Sequence, residues 1–150
     1  MSLKETINAD IKQAMLAKKK EELTALRSIK SAILIAETAK GAQEEISEEV
    51  ELKLLMREAK QRKESGELFK KEGREDLAQK EFFEHEVISK YLPKQMEESE
   101  VRETLKAIIT KMGASGPSDM GKVMGASTKE LAGKADGRMI STIVKELLIN

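Results

Sequence analysis

The stretch GKADGRMISTIVKELL, residues 133–148, decides the fold. Its apolar pairs Met139/Ile140, Ile143/Val144 and Leu147/Leu148 return every three to four residues, the period of a helix face and not the alternation of a strand. Asp136 stands where a helix N-cap is wanted, a side chain that accepts from the N–H groups the first turn leaves free. A helix with one apolar face needs partners, and the sequence supplies them just upstream. Val101, Leu105, Ile108, Ile109 and Met112 form a second stripe, and Met120, Val123, Met124 and Leu131 a third. Between those two, GASGPS (113–118) breaks the chain, with Gly113 and Gly116 as cap and turn and Ser118 as the expected N-cap of the short helix. Three amphipathic helices give a small core of their own.

Upstream of Pro93 the same period continues. Ser2 and Glu5 match the S-x-x-E capping box, and Leu3, Ile7, Ile11 and Met15 follow at intervals of four, predicting a helix over 3–18 closed by Lys18, Lys19 and Lys20. Leu23, Leu26, Ile29, Ile33 and Ala36 predict a second helix over 21–40, ended by Gly41. Ser47 caps a third, which starts with Val50, Leu54 and Leu55. Its second half, REAKQRKESGELFKKEG (57–73), has too few apolar residues to bury a face and is expected to project, weakened by Gly66 and stopped by Gly73. A fourth helix over 74–91 offers Leu77, Phe83, Val87, Ile88 and Tyr91 for burial. Pro93 ends it, because a proline pushes the preceding residue out of the α region. The expectation is an all-α protein of two helical lobes. Residues 1–92 make an antiparallel bundle of about four helices with one projecting, and residues 93–150 a three-helix domain.

Composition agrees with this and narrows function. Charged residues are 36% and aromatic ones 3%, a mixture of good helix formers with few of the residues that favour sheets. Equal numbers of basic and acidic side chains, 27 each, leave no overall field for a polyanion, so any such contact is local. With no cysteine there is neither disulfide nor thiolate chemistry. The beginning MSLKETINAD has no apolar leader region, and no apolar run reaches the roughly 20 residues that span a bilayer. A cytoplasmic protein without a membrane partner is expected.

Four patterns invite a functional reading. Gly116 to Lys122 satisfies the G-x-x-x-x-G-K of a phosphate loop, but Val123 replaces the Mg²⁺-holding hydroxyl and no strand precedes it, so an NTPase is set aside. Gly121 and Gly125 share a helix face. Core packing is the preferred reading. The alternative is a contact surface where Lys122, Lys129, Lys134 and Arg138 meet phosphates near two helix starts. Residues 53–74 hold eight basic against four acidic side chains, and 12–30 six against two. These runs read first as solvated faces, with Lys60, Arg62 and Lys63 as the candidate partner surface. The single histidine, His85, lies between Glu84 and Glu86 and is expected to be exposed. No metal, cofactor or catalytic residue is singled out.

Five stretches together carry a resemblance that covers the chain nearly end to end: LRSIKSA from Leu26, KQRKESGELFKKEGREDL from Lys60, EVISKYLPKQM from Glu86, DMGKVMG from Asp119 and GKADGRMISTIVKELL from Gly133. The chain resembles the bacterial YqeY-like proteins of the GatB/YqeY family. One departure is Ala126-Ser127-Thr128, in place of a more apolar stretch, which argues against full burial there. The resemblance implies likeness to the C-terminal helical and tail regions of GatB, a component of the glutamine-dependent aspartyl/glutamyl-tRNA amidotransferase, and with it the family label of carbon–nitrogen ligase activity with glutamine as amido-nitrogen donor. What resembles the enzyme is its binding appendage. The expected function is therefore an accessory RNA-binding module, with tRNA as ligand. The alternative is an adaptor for a synthetase or amidotransferase component. Oligomeric state is left open.

Overall fold

A computed structural model describes residues 2–39 and 45–149, and every structural statement below concerns those residues. They form seven α-helices and one 3₁₀ turn, with no strand: α1 Leu3–Leu16, α2 Lys20–Thr38, α3 Glu48–Lys71, α4 Glu75–Ser89, α5 Glu98–Met112, the 3₁₀ turn Pro117–Asp119, α6 Met120–Glu130 and α7 Gly137–Ile149. The chain is all-α and divides into two units, Met1–Leu92 and Pro93–Asn150.

In the first unit, Ser2 Oγ accepts from Glu5 N–H at 3.2 Å while Glu5 Oε2 accepts from Ser2 N–H at 2.9 Å, closing the capping box of α1. At its other end, Lys19 N–H donates to Ala14 O (3.0 Å) and Lys18 N–H to Met15 O (3.2 Å), with Lys18 at φ +56°. A lysine held in this left-handed region, which glycine adopts freely, costs roughly 1–2 kcal/mol. α2 returns antiparallel, so that Lys4 Nζ lies 3.1 Å from Glu37 Oε2. Ile7 and Ala14 of α1 meet Ala25, Leu26, Ile29 and Ile33 of α2, Leu54, Leu55 and Ala59 of α3, and Val87 and Ile88 of α4 in one core. Each larger side chain there contributes about 1.5–3 kcal/mol by leaving water. The interval-of-four reading fails at the end of α1. Successive steps of four drift around a helix of 3.6 residues per turn, so Ala14 enters the core and Met15 is left 55% exposed.

Ser47 Oγ accepts from Val50 N–H and starts α3 as expected, whereas Gly41 lies outside the described residues. The polar second half of α3 does leave the core, and it leaves with a companion. α4 runs back along it, and Gly66 is buried in the contact because a Cβ there would stand 2.5 Å from Phe82 Cε1. Gly66 is a place of close approach and not a weak point. Gly73, at φ +78°, makes the turn, with Arg74 N–H donating to Phe69 O at 2.8 Å. α4 ends at Ser89, two residues short of the expected Tyr91. Tyr91 and Leu92 instead form a turn whose N–H groups reach Ile88 O and Ser89 O. The Tyr91 hydroxyl donates to Asp10 of α1, and burial followed by that hydrogen bond pushes its pKa up. Leu77, Phe83 and Tyr91 are half-buried where burial was expected; Ala78, Val87 and Ile88 are fully inside.

The second unit is built on the stripes read from sequence, except that Met112 at the end of the α5 stripe stands 42% exposed. Val101, Leu105 and Ile108 of α5, Val123 of α6 and Ile140, Ile143, Val144 and Leu148 of α7 enclose one core with Leu131 and Ala135. Gly113, at φ +68°, caps α5. Asp136 caps α7, its Oδ1 accepting from Arg138 N–H at 3.2 Å and its carbonyl from Ile140 N–H at 3.1 Å. Ser118 does not cap α6. Pro117 opens a 3₁₀ turn through it, Asp119 takes the cap position, and the Asp119 side chain turns back to accept from Ser115 N–H at 3.0 Å. The segment before α5 is pinned to the α6–α7 turn, where Gln95 Nε2 donates to Gly133 O at 2.6 Å and Met96 N–H to Lys134 O at 2.9 Å.

Candidate functional site

α6 has two unlike faces. Val123, Ser127 and Leu131 point to the core, and the half-turn offset puts Gly121, Lys122, Gly125 and Lys129 in solvent. A Cβ at Gly121 or Gly125 would meet nothing within 4 Å, so the core-packing reading of these glycines is overturned and they leave an open strip of helix backbone. Ser127 corrects the opposite expectation. It is fully buried, with its hydroxyl unpartnered, in the stretch whose polarity argued against burial.

Lys122 and Lys129 are seven residues apart, so they share this face at a separation of about 10 Å along the axis. Lys134, in the following turn, and Arg138, in the first turn of α7, are also exposed. None of the four has an ion-pair partner within 4.0 Å among the described residues, whereas on α5 Arg102 is held by Glu146 at 2.9 Å and Glu98 at 3.6 Å and Lys106 by Glu103 at 3.6 Å. The hydrogen bond that Arg102 donates to Glu146 is the main cause of its raised pKa. The helix starts themselves add little for an anion. Asp119 opens α6 and Asp136 opens α7, so each N-terminus already carries a carboxylate. Any phosphate here is met by side-chain cations. The phosphate-loop pattern falls on a 3₁₀ turn between two helices, without a strand before it.

The second candidate patch is not one surface. Lys63 is exposed and Lys60 half-buried, but Arg62 turns into the α3–α4 contact with its side chain only 26% exposed. Its guanidinium lies 3.4 Å from Glu81, 3.6 Å from Glu84 and 3.8 Å from Glu58, and its Nε is buried without an acceptor. Burial, then Glu81, raises the Glu84 pKa, and Arg62 opposes both. Sequence reading missed this cluster, yet its signal is present: Arg62 and Glu84 each stand eleven residues from Gly73, the centre of the turn. Close by, His85 is half-buried and not exposed. Its Nδ1 lies 2.8 Å from Ala59 O, a geometry that calls for the proton on Nδ1, and Ser89 Oγ donates to the His85 carbonyl at 2.7 Å.

Known proteins place the chain. Residues 4–148 match the family described as Yqey-like protein. The chain is 35% identical over 133 residues to "Altered inheritance of mitochondria protein 41, mitochondrial" of Clavispora lusitaniae, covering 87% of this chain and 74% of that protein. It is 30% identical over 146 residues to the protein of the same name from Pyrenophora tritici-repentis, covering 95% and 78%. Both relatives are named as mitochondrial proteins, which overturns the expectation of a cytoplasmic one. That expectation rested on the polar character of residues 1–10, which does not specify a compartment. Matched from Lys4 to Leu148, and at 30–35% identity along most of two relatives, the chain belongs to the YqeY-like family.

Proposed function

We propose that the chain is an accessory RNA-binding module, with tRNA as its ligand, that engages phosphates through the α6–α7 surface. One observation supports this above the others: Lys122, Lys129, Lys134 and Arg138 are exposed without ion-pair partners among the described residues, beside the uncovered Gly121/Gly125 strip. A strip without side chains lets a sugar–phosphate backbone approach the helix while the flanking cations reach its oxygens. The resemblance to the amidotransferase tail region makes tRNA the first ligand to try. The test is filter binding of tRNA and of a random RNA of equal length over a range of salt. Affinity should fall with a log–log slope of about −0.7 to −0.9 per phosphate contacted, with tRNA preferred. Equal binding of both RNAs would defeat the proposal.

The adaptor reading, with a synthetase or amidotransferase component as partner, has its own support in the α3–α4 arm. The arm leaves the core and presents Leu68 at 55% exposure, with Lys63 also exposed on the same helix. Alanine at Lys60 and Lys63 should then abolish partner capture with helicity unchanged. Arg62 is a poor probe of it, since its loss disturbs the arm itself.

A further inference from the structure

The basic run over 12–30 has no part in either reading, and the structure gives its α1–α2 turn an unusual character. Residues 15–20 are all exposed, so the end of α1 and the turn form a convex tip. At that tip Met15 and Leu16 stand 55% and 72% exposed, just past the point where Ala14 enters the core. Lys12 stands one turn before them on α1 and Lys18 and Lys20 follow in the turn, all exposed with Glu21 as the acidic neighbour, while Lys19 pairs with Glu22 at 3.8 Å. Lys18 holds the left-handed position that glycine would fill without strain, so a cation is kept there against the backbone's preference.

We propose that this tip docks the N-terminal unit on an anionic lipid bilayer, with Met15 and Leu16 entering the headgroup–acyl boundary and the neighbouring cations meeting anionic headgroups. The combination of an apolar insertion and a polybasic rim is what reversible adsorption requires, since either signal alone is weak. A protein partner fits less well: two side chains on a convex turn offer far less than the roughly 800 Å² per partner of a stable interface. RNA fits less well too, because phosphates have no use for Met15 and Leu16, and no aromatic residue lies in the turn to stack a base. The sequence expectation of no membrane partner rested on spanning length. No helix among the described residues is long and apolar enough to cross a membrane, and surface adsorption does not need one.

The test is co-sedimentation of the full chain with vesicles of phosphatidylcholine alone and with phosphatidylcholine containing about 30 mol% phosphatidylserine, where binding to the second should be about a hundredfold stronger. Added salt should weaken it. Replacing Met15 and Leu16 together by Asp should reduce binding at least thirtyfold with the helical circular dichroism unchanged. Lys18→Gly is the sharper variant. It relieves the backbone and should raise thermal stability, yet it should lower vesicle binding about fivefold. Equal pelleting with both vesicles, no pelleting, or a double-Asp variant that binds as well as the original chain would overturn the proposal. So would a Lys18→Gly variant that loses tRNA affinity and keeps vesicle binding, which would give the patch to RNA.

Discussion

The α3–α4 arm and the α6 face are made of the same two ingredients, helix glycines and basic side chains, and use them in opposite senses. In the arm, Gly66 admits the Phe82 ring and Arg62 is enclosed by Glu58, Glu81 and Glu84. On α6, nothing lies over Gly121 or Gly125, and Lys122 and Lys129 extend into water. Residue type therefore does not report role here. Whether a second helix lies opposite does, because it converts a glycine into a contact and a cation into half of an ion pair. In the arm these residues hold structure together, and on α6 they are left available to a ligand.

The largest expected effect breaks this comparison on the α6–α7 side. Changing Lys122, Lys129, Lys134 and Arg138 together to Ala should lower tRNA affinity by about a hundredfold at low salt and flatten the log–log salt slope by about three units. Thermal stability should stay within about 1 kcal/mol, since surface charges without partners contribute little. If stability falls and affinity does not, these cations are structural and the contrast with the arm fails. On the arm side, Arg62→Ala should cost about 2 kcal/mol in chemical denaturation. It strands the buried Glu84 beside Glu81, although partial exposure of the site keeps the cost below that of a fully buried pair. Lys129→Ala in the same assay should be nearly silent.

The helices were legible because their signals are local: capping residues such as Ser2, Ser47 and Asp136, stops such as Gly73 and Gly113, and stripes such as Val101, Leu105 and Ile108. What was misread depends on what lies opposite. The stripe of α6 itself turns Gly121 and Gly125 off the core face, but it does not say whether another element covers them, and nothing within α3 says that Gly66 faces Phe82. Leu3, Ile7 and Ile11 pack against the core, but one further step of four takes the stripe off the buried face at Met15. Ser118 lost its capping role to Pro117, whose fixed φ starts the 3₁₀ turn a residue earlier. The candidate cations were found by type and proximity in sequence. Which of them are held by carboxylates followed only from helix pairing, and that is why Arg62 was grouped with Lys63.

The same substitution at the two kinds of glycine should have opposite signs. Gly121→Ala and Gly125→Ala each add helix propensity without a clash and should raise stability by about 1 kcal/mol. Gly66→Ala gains the same propensity but drives a methyl into Phe82. Overpacking costs about 2 kcal/mol, so the net change should be a loss of about 1 kcal/mol. Urea titrations of the three variants decide it, and a stabilised Gly66→Ala would show that the Phe82 ring moves aside freely. If the α6 strip also contacts RNA, Gly121→Ala should weaken tRNA binding while strengthening the fold, a split that packing alone does not produce.

The smallest effect is carried by pH. Glu84 has its pKa raised above the ordinary 4.5, by burial first and Glu81 second. Between that ordinary value and the raised one the folded chain binds more protons at Glu84 than the unfolded chain does, so this residue's contribution to stability improves as pH falls through the window. At neutral pH the ionised carboxylate is a burden that Arg62 only partly offsets. Glu84→Gln should therefore stabilise the chain slightly near pH 7, by under about 1 kcal/mol, and remove this part of the gain on mild acidification. In an Arg62→Ala background the benefit of Glu84→Gln should grow, because the opposing cation is gone and Glu81 remains. Denaturation midpoints of the two single variants and the double, taken at pH 5 and pH 7, measure the coupling. If Glu84→Gln is equally neutral in both backgrounds, the arm's arginine is as idle as the lysines of α6, and the distinction between enclosed and available cations dissolves.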